Sequence, residues 1–446
     1  MADKNIKNLV VCSTLNQITN YLIIEKYKPE RVFNITFDEG AKKLLNKSIK
    51  IEEWDKQLTN ACKDLGCDKF ENIILSKTDI YSSTDTLERI KDEISDIDEP
   101  IYWHITGGQR IIALAISEFI TGKKDKNREN DKVIYIEANT EKLVINGCLD
   151  ENESYGTKEI TLQKVLNLVG FKETEPKSTI KFKQKGVTID TDEFKLEHSF
   201  YQELYKMIKS DSETNTEKQI IEFKDDKGKH KGSFRNLLLK SNGISNSTKG
   251  KNYEENLSER TKYVKLLFEK ICGKHEKLKE CKYDILKSHE IYGSYPAGYI
   301  FEKLAAHKIY DVIKNNDKII EMQTSMKTYF DEDEKYKIHT NKSIIDELDI
   351  VLLTDTGKII NFECKSGSMD GNNAKSHNYT TYRLAGVFGM PIVLSPLYEN
   401  ENKKTKENFE REELKKQLEV LAAAESAELE VWAIDNIEDK LKELIK

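Results

Sequence analysis

Two carboxylic acids lie inside strongly apolar segments between residues 347 and 365, and few folds tolerate that arrangement. Asp349 is embedded in Leu348-Asp349-Ile350-Val351-Leu352-Leu353, and Glu363 follows Ile359-Ile360-Asn361-Phe362. The segments flank Asp355-Thr356-Gly357, so they read as antiparallel strands joined by a three-residue loop whose glycine supplies positive φ. That loop pairs Thr354 with Lys358 and, further along the ladder, sets Asp349 opposite Glu363 and Glu347 opposite Lys365. Side chains alternate with period two, so all four leave one face of the sheet. A two-residue Thr356-Gly357 loop would instead turn Glu363 away from Asp349. Opposed residues have Cβ atoms about 5 Å apart, which lets two carboxylates share one divalent cation. Lys365 beside them can orient a water or steady developing negative charge. An amphipathic hairpin with a wet charged face fits the same pattern. Carboxylates among residues this apolar are nevertheless costly unless paired, hydrogen-bonded or bound to metal.

Asp349, followed after a short hairpin by Glu363-Cys364-Lys365, resembles the PD-(D/E)XK nuclease superfamily. The resemblance implies that Asp349 and Glu363 hold Mg²⁺ or Mn²⁺, that Cys364 coordinates through its carbonyl oxygen, and that Lys365 serves the attacking water. It also implies a further glutamate from a preceding helix. Pro296 to Glu302 opens a helix with apolar Phe301, Leu304, Ala305, Ile309, Val312 and Ile313, and Glu302 falls at the edge of that stripe. Glu302 reads either as the helix-borne acid or as an ordinary boundary residue.

The N-terminal part alternates short apolar strands with helices. Strands are expected at Asn8 to Ser13, Arg31 to Phe37, Phe70 to Ser76 and Pro100 to Thr106, with helices at Gln17 to Tyr27, Trp54 to Leu65, Thr84 to Ile94 and Arg110 to Ile120. Val133 to Ala138 and Leu143 to Ile145 follow as paired strands. This alternation implies a doubly wound, largely parallel α/β sheet, in which ligands bind beyond the carboxyl ends of the strands. Two such ends are chemically suggestive. Ser13-Thr14-Leu15-Asn16-Gln17 offers hydroxyls and amides at a helix start. Thr106-Gly107-Gly108-Gln109-Arg110 combines glycines, a helix N-terminus and a guanidinium, which suits phosphate. The glycines also fit a reading in which they only permit a tight bend. Neither a Gly-x-Gly-x-x-Gly fingerprint nor a Walker-type loop is present.

A Rossmann-like domain with a Thr-Gly-Gly turn after its fourth strand resembles the CARF domain of CRISPR-associated proteins. Joined to a PD-(D/E)XK core, it resembles the cyclic-oligoadenylate-activated CRISPR ancillary nucleases. The implied fold is α/β throughout: a Rossmann-like CARF domain over residues 1–150, a connector over 151–290 and a restriction-endonuclease-like domain over 291–446. The implied protein is a homodimer of type III CRISPR antiviral defence. It would bind cyclic oligoadenylate, foremost cyclic tetra-adenylate, at Ser13, Thr14, Asn16, Gln17, Thr106, Gly107, Gly108, Gln109 and Arg110. It would then cleave DNA or RNA, single strands above all, through Glu302, Glu347, Asp349, Glu363 and Lys365. Gln109-Arg110 departs from the Thr and Lys of many CARF domains, which keeps phosphate binding but loosens the expected ring size. Two other readings stay open: a non-cleaving sensor or regulator, and a ring nuclease that degrades the messenger.

The net charge of −7 gives no global attraction to nucleic acid, so any such contact must come from local Lys/Arg patches. The seven cysteines form no Cys-x-x-Cys pair or zinc spacing. No signal peptide is seen at the N-terminus, and no apolar run nears the roughly 20 residues that span a bilayer, so the chain reads as cytoplasmic and free of membrane. In the middle, Phe194 to Ile208 reads as an amphipathic helix, whereas Ser210 to Gly232 and Ser241 to Glu255 read as polar loops or insertions. Beyond Lys365, a Gly/Asn/Ser-rich loop from Ser366 to Asn378 brings Lys375 and His377 beside the acids, and the following helix carries Tyr382 and Arg383.

Overall fold

The computed structural model describes residues 6–14, 16–45, 51–67, 69–121, 128–173, 180–184, 187–213, 221–225, 228–232, 296–330, 344–366, 368–396 and 412–446. The stretch from Ser241 to Glu255, expected as a polar loop or insertion, lies outside them.

The first sheet is built from β1 (Asn8–Cys12), β2 (Arg31–Phe37), β3 (Lys69–Leu75), β4 (Ile101–His104), β5 (Lys132–Glu137), β6 (Lys142–Ile145) and β7 (Cys148–Ser154). Their order across the sheet is β3-β2-β1-β4-β5-β6-β7. The first five are parallel; β5-β6 and β6-β7 are antiparallel. Parallel strands need helical crossovers, supplied here by α1 (Ile18–Tyr27), α2 (Glu39–Leu45), α3 (Ile51–Asp64), α4 (Ser83–Ile94) and α5 (Arg110–Thr121). Helices cover both faces, which explains why β1 is apolar on both sides. Leu9 and Val11 pack with α1 and α3, Val10 and Cys12 with α4 and α5. The β6-β7 hairpin turns on Asn146-Gly147, both at positive φ (51° and 79°), the requirement of a tight two-residue turn.

After α6 (Leu162–Leu168), the second sheet takes β8 (Phe171–Glu173), β9 (Ile180–Gln184), β10 (Val187–Thr188), β13 (Ile319–Phe330), β14 (Ile344–Thr354), β15 (Ile359–Cys364), β16 (Gly389–Ser395) and β17 (Glu430–Ala433). The path is β10-β9-β13-β14-β15-β16-β17, with β8 also paired to β13. The stretch expected to connect two domains therefore supplies edge strands to the second one. It also supplies α7 (Asp192–Glu213), which lies against α8 (Pro296–Ile313). Part of the expected polar loop is regular as well: β11 (Ile221–Asp225) pairs with β12 (Gly228–Gly232). α8 and α11 (Ile437–Leu444) cover one face of the sheet, and α9 (Gly371–Ala385) and α10 (Glu412–Ser426) the other.

The two sheets share a core. Ile18, Leu22 and Ile23 of α1 belong to the same buried cluster as Leu353, Ile359, Leu384, Ala385 and Phe388. The turn between β14 and β15 is pressed into that contact. Gly357 has φ +79°, and a Cβ there would stand 2.9 Å from Ile18 Cδ1. Glu141, at the β5-β6 turn, reinforces the junction with Lys358 at 2.9 Å and Lys318 at 3.2 Å. Gly357→Ala combines left-handed strain with that clash, so it is expected to lower the unfolding free energy by about 2 kcal/mol. Urea denaturation of the two proteins measures the difference.

Candidate active site

The loop Asp355-Thr356-Gly357 joins β14 to β15 as the three-residue connection requires. The Thr354 N–H donates to the Lys358 carbonyl, and the Gly357 N–H to that of Thr354, both at 3.0 Å. The ladder then pairs Leu353 with Ile359, Leu352 with Ile360, Val351 with Asn361 and Ile350 with Phe362. Asp349 and Glu363 come next in that register. The strands part at this point, because the Cys364 N–H donates to Asp349 Oδ2 at 2.7 Å. A carboxylate thus takes up a backbone donor at the splayed end of the hairpin.

Around this point the acids gather. Glu302, on α8, accepts a hydrogen bond from Ser325 Oγ at 2.9 Å. Ser325 has φ +52°, an irregularity in β13 that the sequence did not announce and that brings its hydroxyl to Glu302. Burial, together with the charges of Glu347 and Glu363, raises Glu302 to about 7, against the opposing pull of Ser325 and Lys303. Asp349 is held well above the usual carboxylate range, first by burial and then by Glu363 and Glu302; the Cys364 N–H and Lys365 work the other way. The Lys365 ammonium pairs with Glu363 Oε1. Burial pulls the Lys365 pKa down, but Glu363 and Asp349 outweigh it and the net direction is up, so the lysine is a stable cation.

Glu347 differs from expectation. β15 ends at Cys364 and the Lys365 N–H donates to the Leu394 carbonyl of β16, so Lys365 lies beyond the ladder that was to place it opposite Glu347. Glu347 instead lies across from Lys327 on β13, with its carboxylate 3.6 Å from that ammonium, at the exposed rim of the acid cluster. His377, on α9, is buried with Nδ1 3.9 Å from Glu363 Oε2. It was expected beside the acids in a loop running to Asn378, but the helix already begins at Gly371, capped by Asp370, and it is the helix that carries His377 there.

Among the described residues no three His, Cys, Asp or Glu side chains converge closely enough to hold a metal as they stand. The donor set nonetheless suits a hard divalent cation. It consists of carboxylate oxygens, and burial, followed by the charge of acidic neighbours, drives Asp349 and Glu302 towards protonation, a cost that positive charge relieves. Glu302, Asp349, Glu363 and the Cys364 carbonyl are the oxygens available.

The second candidate site lies at the carboxyl ends of β1 and β4. These strands are adjacent, and the chain runs to opposite sides of the sheet from them, so a crevice opens between their loops. The two loops touch: a Cβ on Gly107 would lie 2.8 Å from Thr14 Cγ2, and one on Gly108, at φ +86°, 2.5 Å from Cys12 Cβ. Glycine is thus required there by packing, whatever binds. Beneath the loops runs a buried polar network. Asp55 accepts from Ser13 Oγ at 2.7 Å, Asn34 Nδ2 at 3.0 Å and Gln17 Nε2 at 3.2 Å, and from the Thr36 hydroxyl. His104 bridges Asn20 Oδ1 at 2.9 Å and Thr106 Oγ1 at 2.8 Å, and Thr106 Oγ1 also accepts the Ile136 N–H. Burial drives His104 down to about 3, so it is neutral and donates from Nδ1 while accepting the Thr106 hydroxyl at Nε2. Ser13, Gln17 and Thr106 therefore serve the scaffold. Asn16 donates to the Ala385 carbonyl of α9 and accepts the Ile18 N–H. Arg110 is exposed, and Thr14 and Gln109 are partly buried.

No protein-family model and no curated protein sequence matches the chain. Solved structures match it over nearly its whole length. Protein VC1899 from Vibrio cholerae has a TM-score of 0.58 at 12% identity, with 99% of this chain and 97% of that one covered. Can2 from Sulfobacillus thermosulfidooxidans, solved in complex with cyclic tetra-adenylate, has a TM-score of 0.51 at 14% identity, with 99% of both chains covered. The chain shares its fold with both. At such identity the likeness speaks for the order and packing of elements, the doubly wound α/β sheet followed by the second mixed sheet, and assigns no residue a role.

Because Glu302 is raised in the folded state, the stability it contributes is complete below about pH 4 and is lost as pH rises through about 7. Glu302→Gln removes that ionisation. The variant is expected to exceed wild type in unfolding free energy at pH 8 by on the order of 2 kcal/mol and to match it below about pH 4. Urea unfolding at the two pH values reads the difference.

Proposed function

We propose that this protein is a metal-dependent nuclease of type III CRISPR defence, switched on by a cyclic oligoadenylate and working as a homodimer. The observation that carries this reading is the cluster of Glu302, Asp349 and Glu363 around Lys365 at the parted end of a hairpin. An acid cluster of that kind is destabilising on its own and makes chemical sense as a cation cradle. Mg²⁺ or Mn²⁺ would be held by Asp349, Glu363 and the Cys364 carbonyl, with Glu302 beside them. When bound, the ion supplies neutralisation of phosphate charge and a more acidic water.

The protein's own residues do the rest. Lys365, charged and tethered by Glu363, meets the negative charge that builds on a phosphodiester during attack. Ser325 fixes the rotamer of Glu302, and the Cys364 N–H fixes that of Asp349. Glu347 and Lys327, at the rim, lie where a strand would enter.

For the activator, the reading rests on the crevice between the β1 and β4 loops. Gly107, Gly108 and the first N–H groups of α5 favour phosphate, Arg110 adds charge, and Thr14 and Gln109 offer hydrogen bonds. Can2, of the same fold, was solved with cyclic tetra-adenylate, and a ring of four adenylates divides evenly between two identical crevices of a dimer.

The test is cleavage of plasmid, labelled single-stranded DNA and labelled RNA, in Mg²⁺ or Mn²⁺, with and without cyclic tetra-adenylate. Wild type is expected to cut at least one of these only when metal and messenger are both present. Glu363→Ala is expected to lower the rate at least about a hundredfold while binding the messenger normally. Messenger binding with no cleavage under any condition would make the protein a sensor instead. Loss of the messenger itself in chelator would make it a ring nuclease.

A further inference from the structure

Asn16 stands between the two sites. Its Nδ2 donates to the Ala385 carbonyl at 2.6 Å, and its Oδ1 accepts the Ile18 N–H at 3.0 Å. Ala385 is the last residue of α9, where helix carbonyls have no partner in their own helix. The backbone clears a path for this contact: Gly386 has φ +57°, and a Cβ there would approach Asn16 Nδ2 to 3.2 Å. One side chain thus caps the start of α1 and holds the end of α9.

At its other end the Asn16 segment belongs to the ligand crevice. Asn16 lies two residues beyond Thr14, whose side chain packs on Gly107. α9 in turn is fastened to the strand that carries Glu363. Asn361 Nδ2, on β15, donates to Thr381 Oγ1 at 2.8 Å, and Thr381 Oγ1 donates to the His377 carbonyl at 2.9 Å. His377 then faces Glu363. Eight residues of helix separate His377 from Ala385, about 12 Å at the rise of an α-helix. A helix of that length transmits displacement of one end to the other as a rod, because packed interiors do not deform continuously.

We propose that Asn16 is the positioning residue that couples the nucleotide crevice to the acid cluster, by pulling on the C-terminal end of α9. The coupling rests on the function proposed above. A phosphate ring seated between the β1 and β4 loops displaces Thr14 and, with it, Asn16. The bond to Ala385 carries that displacement into α9, and Thr381 and His377 deliver it to β15 and Glu363. Asn16 contacts neither the ring nor the substrate.

Asn16→Asp isolates the bond, since an aspartate still accepts the Ile18 N–H but cannot donate to the Ala385 carbonyl. The measurements are cyclic tetra-adenylate affinity, cleavage kinetics of the labelled strand with and without that activator in Mn²⁺, and thermal unfolding as the control for folding. The expected result is activator affinity within about threefold of wild type and unchanged KM, with activator-stimulated kcat lowered at least about tenfold. Stimulation equal to wild type overturns the coupling. So does a joint loss of activator affinity, which would make Asn16 a ligand contact. A wild type that binds the ring but never cleaves overturns the function above, and the coupling with it; cleavage by wild type keeps the two failures apart.

Discussion

The constraint on the rest of the structure is that the fold buries carboxylates together at the end of the β14-β15 hairpin. Asp349 and Glu302 are both driven towards their protonated forms by burial and by their acidic neighbours. A fold ordinarily sheds such a cost. Here each acid is instead held by a partner: Ser325 donates to Glu302, the Cys364 N–H donates to Asp349, and Lys365 pairs with Glu363, which His377 Nδ1 also approaches to 3.9 Å. These partners fix the direction of each carboxylate, and a group of acids buried together is the setting in which added positive charge gains most.

Holding that cluster requires α8 to be fixed in rotation as well as position, because Glu302 reaches the site only from one side of the helix. The opposite side of α8 is locked by polar contacts. Lys303 pairs with Glu197 of α7 at 2.8 Å, His307 meets His198 through their Nδ1 atoms at 3.0 Å, and His198 Nε2 meets Asp311 at 3.1 Å. Lys308 reaches Glu438 of α11 at 2.8 Å. Burial lowers His307 to about 4, so at neutral pH it is an uncharged partner packed against Tyr201 and Phe182. Directional bonds of this kind specify one rotation where apolar packing alone would allow several.

Much of this was legible in the chain. The three-residue turn and its glycine set the register that puts Asp349 next to Glu363, and alternation of apolar strands with helices set the doubly wound sheet. What escaped was whatever depended on a strand ending or bending. A ladder carried on to Glu347 and Lys365 runs three pairs past Ile350 and Phe362, beyond the point where Asp349 takes the Cys364 N–H. Ser325 was missed because a left-handed serine inside a strand has no sequence signal. Ser13 and Gln17 have the chemistry of ligand contacts, but their acceptor, Asp55, lies on α3 some forty residues away, and no local pattern reveals it. β8 and β9 are too short to announce strands, and they become so by pairing with β13.

The shared core gives the domain order a physical meaning. Two domains on an open linker would move independently, and a bound nucleotide on one could not bias the other. In this chain α1 packs on the very turn that sets the hairpin register, with Gly357 against Ile18 and Leu22. α1 also begins where the β1 loop ends. The first element after the crevice is therefore the one that abuts the acid-bearing hairpin, and Glu141 clamps both Lys318 and Lys358 beside it. Because interiors pack densely and resist small deformations, α1 and the β14-β15 turn hold each other in one arrangement, which an open linker would not do.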